Sequence, residues 1–456
     1  MNFVGRENEM SFLEEQYNKD SSMVIIYGRR RIGKTTLIKN FIKNKKAIYF
    51  LATEESINEN RKNFQNTIFQ ITKNNFYSEN NEINWESLFD FVNDEKWIIV
   101  IDEYQYLAMT DKSFTSKIQK IWDEFLKNKN VMLILSGSLT NMMYSETLNS
   151  SSPLYGRRTG QIKLQELPFE DYKIFFDNKN ISEIIDFYSV TGGVPKYVES
   201  FDLEKSLVQN IKDNIINVNS YLYEEPIFLL SKEVKEIGSF FSIIKSISFG
   251  NHKLSKISAD IEIKQSSLIY YINVLQDLDI IERHVPITEK NPQKSKKGLY
   301  FIKDKFINFW FNFVYPYRSF IEMNNKTFVL EKIENNLIDN HVSFIYEDIC
   351  RKKVLDLSAN NFFNRDIVKV GRFWNNDFEI DILGMDTKQN PILFGECKYQ
   401  KNKVGKEVLN KLKYKAEIVS SKEKVYVIFS KSGFKKNLLE LSKKENNIFL
   451  FDNDIL

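Results

Sequence analysis

The sequence predicts an α/β protein of several domains, for three reasons. Up to about residue 165, short apolar runs typical of buried strands alternate with helical segments, which favours a parallel sheet with helices on both faces. From Phe169 to about Tyr223 the apolar pattern is helical alone. Near the C-terminus, a strand hairpin followed by a basic helix indicates a second α/β domain. A chain of 456 residues is also too long for one hydrophobic core.

These patterns divide the chain into four segments. We expect a parallel-sheet domain at 1–165, a helical lid at 166–225, a domain of helices and a hairpin at 226–325, and the second α/β domain at 326–456. The lid is predicted from a helical pattern that Gly192-Gly193 and Pro195 interrupt.

A glycine-containing loop links the predicted strand Met23 to Tyr27 with the helix that follows. Residues 28–35 fit the pattern G-x-x-x-x-G-K-[ST], whose glycines let backbone N–H groups face phosphates. Lys34 would meet the β and γ oxygens, Thr35 can bind Mg²⁺, and the helix N-terminus favours the anion. We therefore predict that ATP is bound by Gly28, Arg29, Arg30, Arg31, Ile32, Gly33, Lys34, Thr35 and Thr36.

Two carboxylates follow the buried run from Trp97 to Ile101. Asp102 would hold Mg²⁺, directly or through water, and Glu103 would polarise the attacking water. Another buried run, 131–135, ends at Ser136-Gly137-Ser138, where either hydroxyl is a candidate sensor of the γ-phosphate. A turn that closes a strand is the alternative interpretation of these serines.

Two adjacent arginines, Arg157 and Arg158, precede the short predicted strand Gln161 to Leu164. An arginine in this position can neutralise charge in the transition state of phosphoryl transfer. If a neighbouring subunit supplied it, hydrolysis would depend on a homo-oligomer. Solvated surface arginines are an equally good interpretation.

Five segments together resemble a known family: FVGRENE at 3–9, the phosphate loop, IDEYQYL at 101–107, YGRR at 155–158 and GGVPKY at 192–197. They look like the archaeal-type ATPases, a branch of the AAA+/STAND P-loop superfamily. The resemblance implies that Gly5 and Arg6 help to bracket the adenine and ribose, and that Pro195 touches the base. If the resemblance is set aside, the first segment is interpreted as a loop that enters a helix, and the last as a turn between helices.

A different pattern begins near Ser231, where a helical stripe precedes two further helices, 254–261 and 265–278. These two helices and their short turn predict a helix-turn-helix. The candidate recognition residues are Gln265, Ser266, Ser267 and Tyr270. Strands at 280–286 and 298–302, around a basic loop, complete a winged helix. Such a module contacts DNA in some proteins and docks proteins in others.

The C-terminal segment holds a second candidate site. The predicted hairpin of 379–383 and 392–398 brings Asp381 near Glu396 and Lys398, and the last two share one strand face. Two carboxylates can bind Mg²⁺, while a lysine can assist the attacking water and stabilise a pentacovalent phosphate. This resembles the PD-(D/E)XK nuclease core, which implies that Glu347 completes the metal site. A degenerate nucleic-acid clamp and ordinary salt-bridged strands are the alternatives.

Composition indicates the location of the protein and the metals and partners that it can bind. No apolar run approaches the roughly 20 residues that cross a bilayer, so we expect no membrane partner. Only Cys350 and Cys397 are present, which indicates a reducing, cytoplasmic location. Few cysteines and histidines leave little material for zinc, so any metal should be Mg²⁺ or Mn²⁺ on carboxylates. Lysine clusters suit a phosphate backbone, although lysine is abundant throughout.

The sequence thus predicts a Mg²⁺-dependent ATPase that acts on nucleic acid, DNA in preference to RNA, through a winged helix and a nuclease-like domain. A second interpretation is a nucleotide-controlled switch that binds DNA or a protein without cutting. A third is a protein-docking ATPase with no role on nucleic acid, which would lack a steep salt dependence of DNA binding.

Overall fold

The computed structural model describes residues 3–176 and 178–456, which fold into two compact units. The first unit runs to Leu167 and also includes Gly193–Glu199. The second comprises Pro168–Gly192 and Ser200–Leu456. The segment predicted as a lid is therefore divided between the units. The two later predicted domains form one unit with most of that segment.

The first unit is built on a parallel sheet of five strands in the order β2-β3-β4-β1-β5. The strands are β1 (Ser21–Tyr27), β2 (Ala47–Leu51), β3 (Trp97–Asp102), β4 (Val131–Gly137) and β5 (Gly160–Lys163). Every residue of β3 and β4 is buried, as expected for central strands that are covered on both faces. The predicted parallel sheet is confirmed.

Helices cover this sheet on both faces. They are α1 (Glu7–Tyr17), α2 (Lys34–Ile42), α3 (Ile57–Thr72), α4 (Gln105–Thr110), α5 (Phe114–Glu124) and α6 (Thr140–Met143). Alternate side chains of β1 and β3 enter two separate hydrophobic clusters, because successive residues of a strand point to opposite faces. The carboxyl ends of β1, β3 and β4 therefore meet at one edge of the sheet.

The second unit begins with α7 (Phe169–Tyr172) and α8 (Ile181–Thr191), after which α9 (Pro195–Glu199) belongs to the first unit. A capping box of Asn180 and Glu183 starts α8. The following helices are α10 (Leu207–Asn214), α11 (Glu225–Glu233), α12 (Ile237–Ser248), α13 (Leu254–Asp260) and α14 (Gln265–Asp277). The antiparallel hairpin of β6 (Ile281–His284) and β7 (Leu299–Ile302) comes next.

Four helices lead to the C-terminal sheet. They are α15 (Lys305–Phe313), α16 (Arg318–Glu322), α17 (Lys326–Leu337) and α18 (Ser343–Ala359). Among the described residues, no helix is both long and apolar enough to cross a bilayer. On α15, the fully buried Trp310 donates its indole N–H to the carbonyl of Tyr223 at 2.7 Å. Trp310 is therefore part of the hydrophobic core.

The C-terminal sheet has the order β12-β11-β10-β9-β8. Its strands are β8 (Lys369–Trp374), β9 (Glu379–Met385), β10 (Pro391–Lys398), β11 (Val425–Ser430) and β12 (Ile448–Phe451). The first three pair antiparallel and the last three pair parallel. The crossovers are α19 (Lys406–Val419) and α20 (Lys436–Lys444). This topology places the ends of β9 and β10 beside α18.

Candidate nucleotide site and second carboxylate site

The loop between β1 and α2 has the backbone shape of a phosphate cradle. Gly28 and Gly33 have φ angles of 146° and 93°, which side chains rarely tolerate. A Cβ at Gly28 would also lie 2.5 Å from the carbonyl oxygen of Leu164. The loop therefore turns tightly into the N-terminus of α2, where backbone N–H groups favour an anion.

Lys34 lies folded against this loop. Its side chain is buried, and its ammonium donates to the carbonyl of Gly28 at 2.7 Å and to that of Arg29 at 2.9 Å. Both acceptors are backbone groups of the cradle itself. The amine is thus held beside the loop, where phosphate oxygens can replace the carbonyls as acceptors.

Asp102 is fully buried at the end of β3, with both oxygens hydrogen-bonded. Oδ2 accepts from the hydroxyl of Thr35 at 2.9 Å and from that of Tyr49 at 2.6 Å. Oδ1 accepts from the backbone N–H of Glu103 at 3.0 Å. Burial, together with the charge of Asp102, raises the pKa of Tyr49 far above its usual range, so this hydroxyl stays a donor. Thr35 and Asp102 offer the hard oxygen ligands that Mg²⁺ prefers.

Glu103 follows in the left-handed conformation, with φ of 54°. Its Oε2 accepts from the hydroxyl of Ser138 at 2.7 Å and from the amide of Gln105. Ser136, the other candidate sensor, is fully buried, and its hydroxyl has no hydrogen-bond partner in the described part of the chain. The structure therefore brings Ser138, and not Ser136, to the glutamate.

A cavity of about 630 Å³ opens beside these groups. This volume is typical of sites for small-molecule ligands. The predicted residues that line it are Arg30, Arg31, Gly33, Lys34, Thr35, Thr36, Glu103, Ser138 and Pro195. Pro195 lies close to the loop, since a Cβ on Gly33 would be 3.8 Å from its Cγ. The cavity, the cradle and the acids thus lie together.

Gly5 and Arg6 are not among the residues that line this cavity, and the role that the resemblance implies for them at the adenine and ribose stays a prediction. Arg6 is buried with φ of 73°, and its Nη2 donates to the carbonyls of Ile32 at 3.2 Å and Gln165 at 2.6 Å. The guanidinium therefore fixes the backbone of the phosphate loop from behind, and this contact keeps it away from the cavity.

Neither of the two predicted finger arginines lines the cavity. Arg157 makes a two-pronged ion pair with Asp123, with Nε–O distances of 2.8 and 3.0 Å. Arg158 lies over the ring of Tyr155 at 5.3 Å. Action on a neighbouring subunit stays a prediction, and for Arg157 it would first require breaking the pair with Asp123.

The second site lies where β9 and β10 run side by side. Asp381 is 7% exposed, and its Oδ2 accepts from the backbone N–H of Cys397 at 2.9 Å. The neighbouring Glu396 and Lys398 are half-buried on one strand face, with Lys398 Nζ 2.7 Å from Glu396 Oε1. Lys415 of α19 lies 3.6 Å from Glu396 Oε2, which is an ion-pair distance beyond hydrogen bonding. The predicted juxtaposition of these residues is present.

Burial and mutual repulsion shift the acids of this site. Burial, and then the charge of Glu396, raises the pKa of Asp381 to about 6. Burial, and then the charge of Asp381, raises the pKa of Glu347 to about 7. For Lys398, burial opposes the charged form, but the carboxylates of Glu396 and Asp381 outweigh it and raise the pKa. The site thus concentrates negative charge that nearby cations only partly offset.

Glu347, the third predicted metal ligand, is paired with an arginine in this structure. Its carboxylate lies 3.4 Å from the guanidinium of Arg351, one turn along α18, and Arg351 also donates to the carbonyl of Asp381 at 2.7 Å. In the described ranges, no group of three or more His, Cys, Asp and Glu side chains is arranged to hold a metal. The role of Glu347 as a metal ligand stays a prediction, and it would require Glu347 to leave its ion pair with Arg351.

Two family models match the chain. An ATPase domain found predominantly in Archaea matches residues 3–201, and a family of archaeal and bacterial proteins of unknown function matches residues 310–411. An uncharacterised protein of Methanocaldococcus jannaschii is 34% identical over 456 residues, covering 99% of both chains. The chain belongs to this family of archaeal ATPases. The predicted resemblance and the predicted ATPase activity are thereby confirmed.

The chain also shares its fold with a solved structure. A Walker-type ATPase of Pyrococcus abyssi matches with a TM-score of 0.51 and 20% identity, over 68% of this chain and 96% of that one. A second uncharacterised M. jannaschii protein is 22% identical over 319 residues, about 60% of each chain. The structural match supports the P-loop α/β fold class of this chain, and does not extend to what either protein acts on.

Sequence reasoning missed two residues of the nucleotide site. Tyr49 lies on β2, a strand that the sequence pattern did not reveal, and its contact with Asp102 joins positions 53 residues apart. Gln105 lies in the IDEYQYL segment, but only the fold turns its amide toward Glu103. The sequence did carry a signal for Gln105, because it is a polar residue shortly after the two acids that end a strand. Tyr49 had no comparable signal.

Proposed function

We propose that this ATPase acts on DNA and cuts phosphodiester bonds at the carboxylate site of its C-terminal sheet, under the control of its nucleotide cycle. The observation that supports this most is the convergence of Asp381, Glu396 and Lys398 on adjoining strands between α18 and α19. The two raised carboxylate pKa values mark the same place as chemically unusual.

ATP hydrolysis would use the groups at the carboxyl edge of the first sheet. Lys34 would leave the loop carbonyls and pair with the phosphates, and Glu103 would accept a proton from, or polarise, the attacking water. Thr35 and Asp102 would hold Mg²⁺, which supplies charge neutralisation on the phosphate oxygens when bound. Ser138 fixes Glu103 at 2.7 Å and is suited to respond to the γ-phosphate.

At the second site, Asp381 and Glu396 would hold a divalent cation, since their oxygens are of the type that Mg²⁺ and Mn²⁺ prefer. Lys398 keeps a proton and therefore a positive charge, which suits it to stabilise the additional negative charge of a pentacovalent phosphate. Lys415 adds a second cation beside Glu396. Together these groups fit the hydrolysis of a phosphodiester.

Contact with DNA is proposed for the helices α13 and α14 with the hairpin β6–β7, which have the order of a winged helix. The candidate recognition residue Tyr270 is 64% exposed on α14. Exposed lysines flank this helix at Lys256 and Lys264. Exposed polar and basic groups at a helix start suit contact with bases and phosphates.

A specific observation also favours a second candidate, a nucleotide-controlled switch that binds DNA without cutting it. The carboxylate of Glu396 is already paired with Lys398, and that of Glu347 with Arg351, so these two of the three acids have a cation of the protein itself. A binding domain needs no divalent metal in this position. The two candidates differ in one property, which is cleavage.

The deciding experiment incubates the purified protein with Mg²⁺, with and without ATP, on plasmid, linear duplex, single-stranded DNA and RNA. Glu396→Gln and Lys34→Ala are assayed in parallel. We expect wild-type cleavage of DNA that Glu396→Gln abolishes while its ATPase rate is unchanged. Loss of cleavage in Lys34→Ala would show that ATP controls it. Binding without cleavage by the wild type would support the switch, and cleavage that survives Glu396→Gln would place the active site elsewhere.

A further inference from the structure

The hairpin β6–β7 is anchored on the edge of the C-terminal sheet. Ile287, which follows β6, is 5% exposed and belongs to the hydrophobic core of that sheet. Its backbone N–H donates to the carbonyl of Arg372 at 3.0 Å, and its carbonyl accepts from Lys369 at 3.0 Å. Gly371 gives room for this contact, since a Cβ there would lie 3.2 Å from Cβ of Ile287. Hairpin and sheet are therefore joined by backbone and core contacts.

Side-chain contacts continue from this junction to the carboxylate site. The guanidinium of Arg372 on β8 lies 5.9 Å from the ring centre of Phe301 on β7 and 2.9 Å from the carboxylate of Glu379. Lys415 donates to the carbonyl of Glu379 at 2.9 Å and lies 3.6 Å from Glu396. A continuous series of contacts thus connects the hairpin with a carboxylate of the proposed metal site.

The tip of the hairpin is a basic loop, residues 290–297. Its exposed lysines without an ion pair in the described part of the chain are Lys290, Lys294 and Lys296. The remaining one, Lys297, lies 2.9 Å from Glu289. Like charges held in one short loop repel one another, and a polyanion relieves that repulsion.

Arg283 of β6 gives the basic loop a fixed shape. Its guanidinium donates to the carbonyl of Pro292 at 2.8 Å and to that of Ser295 at 2.5 Å. Gly298 is required for this arrangement, because a Cβ there would collide with the guanidinium of Arg283. The lysines are therefore presented by an ordered backbone, which lowers the conformational entropy lost on binding.

We infer that the basic loop and the carboxylate site form one fixed binding surface for double-stranded DNA, called the track. In it, the three loop lysines hold the phosphate backbone next to the DNA strand that Asp381 and Glu396 would cleave. This inference rests on the proposed function. Because lysines contact phosphates and not bases, this part of the track is independent of DNA sequence and sensitive to salt.

The first test measures the affinity of the full chain for a labelled 30-base-pair duplex between 50 and 200 mM KCl, roughly the range over which phosphate contacts are screened. The variant removes the three loop lysines as Lys290→Ala, Lys294→Ala and Lys296→Ala. The control removes three exposed lysines of α20, which lies toward the opposite edge of the sheet, as Lys436→Ala, Lys443→Ala and Lys444→Ala. Both variants change the net charge equally.

We expect the loop variant to bind about tenfold or more weakly than wild type, with the control near wild type. The slope of log K against log salt should become shallower by about 0.9 for each phosphate that the loop no longer neutralises. Equal effects of the two variants would overturn the track and leave the proposed function standing. No DNA binding by the wild type would overturn the proposed function itself.

A second test examines whether the track is fixed. A Cβ on Gly371 would lie 3.2 Å from Cβ of Ile287, a few tenths of an ångström closer than in a typical disulfide, so the pair Ile287→Cys and Gly371→Cys can lock the hairpin to β8 after a small local shift. A fixed track predicts that oxidised and reduced protein bind the duplex with affinities within about twofold of each other, roughly 0.4 kcal/mol. Loss of binding on oxidation, reversed by reduction, would show that the hairpin must leave the sheet and would overturn the inference.

Discussion

The two acidic sites of this chain differ in how the protein surrounds a buried carboxylate. Asp102 accepts from two hydroxyls and one backbone N–H, so the protein supplies donors to both of its oxygens. Asp381 accepts from one backbone N–H, and burial, followed by the charge of the neighbouring Glu396, raises its pKa to about 6. The first site is complete without a metal, whereas the second gains most from an added cation.

The two carboxylate environments affect protein stability and metal binding differently. Hydrogen bonds from neutral donors stabilise an ion without removing its charge, so the first site keeps a ligand ready for the metal that accompanies a nucleotide. Repulsion between acids stores unfavourable energy that a divalent ion releases on binding. Predictions that separate the two sites therefore also test the proposed chemistry.

The largest expected effect is on ATP turnover. Lys34→Ala removes the cation that the loop holds beside the phosphates, and we expect kcat for ATP hydrolysis to fall by about 100-fold or more. A steady-state phosphate-release assay measures this, with the exposed Lys39→Ala on the same helix as the control. Unchanged turnover in Lys34→Ala would contradict the role assigned to the loop.

Matched Asp to Asn changes should shift stability in opposite directions. Asp102→Asn leaves a donor without an acceptor, so we expect a loss of about 1–3 kcal/mol. Asp381→Asn removes a buried charge, and an acid whose folded pKa lies about two units above its unfolded value loses stability as pH rises from about 4 to 6. We therefore expect this change to add about 1–3 kcal/mol at pH 7 without divalent metal.

Scanning calorimetry of both variants in EDTA measures these shifts. If Asp381→Asn lowered the unfolding temperature as Asp102→Asn does, the charge of Asp381 would not destabilise the folded chain, and the two sites would not differ. Added Mg²⁺ should narrow the gap between wild type and Asp381→Asn, since only the wild type keeps both proposed ligands.

Acid should weaken the second unit through His341. This side chain is fully buried, its Nε2 donates to the carbonyl of Ser189 at 2.6 Å, and burial lowers its pKa to about 4. The unfolded chain takes up a proton near pH 6.5 while the folded chain does not. Stability should therefore fall by up to about 1.4 kcal/mol per pH unit between pH 6.5 and 4. His341→Gln should flatten this dependence, measured by urea unfolding at several pH values. An unchanged slope would exclude His341 as its source.

The smallest effect concerns Tyr49, the second hydroxyl on Asp102. Tyr49→Phe removes one donor to a buried carboxylate, and we expect kcat to fall by about three- to tenfold, with an altered Mg²⁺ dependence. Affinity for a fluorescent ADP in EDTA should not change. Tyr17→Phe on α1 serves as the control. Equal Mg²⁺ dependence in wild type and Tyr49→Phe would show that Tyr49 does not act through Asp102.

Local patterns in the sequence were sufficient for the elements that carry chemistry. The buried run that starts at Trp97 is β3, and the run that starts at Val131 is β4. The basic helix predicted after the C-terminal hairpin is α19. Continuous apolar runs and a phosphate-loop motif are local signals. The edge strand β2 was missed because its burial alternates and its identity depends on pairing with β3.

The sequence pattern did not predict contacts between residues that are far apart in the chain. The placement of Arg6 behind the phosphate loop, the pairing of Glu347 with Arg351 and the anchoring of Ile287 on β8 all depend on the folded chain. The division of the predicted lid has the same origin: Tyr399, next to Lys398, donates to Asp186 of α8 at 2.7 Å and holds that helix in the second unit. No local property of these residues indicates such partners.

Direct titration of Mn²⁺ into nucleotide-free protein by calorimetry tests the central claim that the C-terminal carboxylates form a divalent-cation site. Wild type, Lys34→Ala and Glu396→Gln are compared at pH 7.5. We expect binding of one Mn²⁺ per chain that Lys34→Ala retains and Glu396→Gln loses. Binding that is absent from the wild type, or equally strong in Glu396→Gln, would contradict that claim.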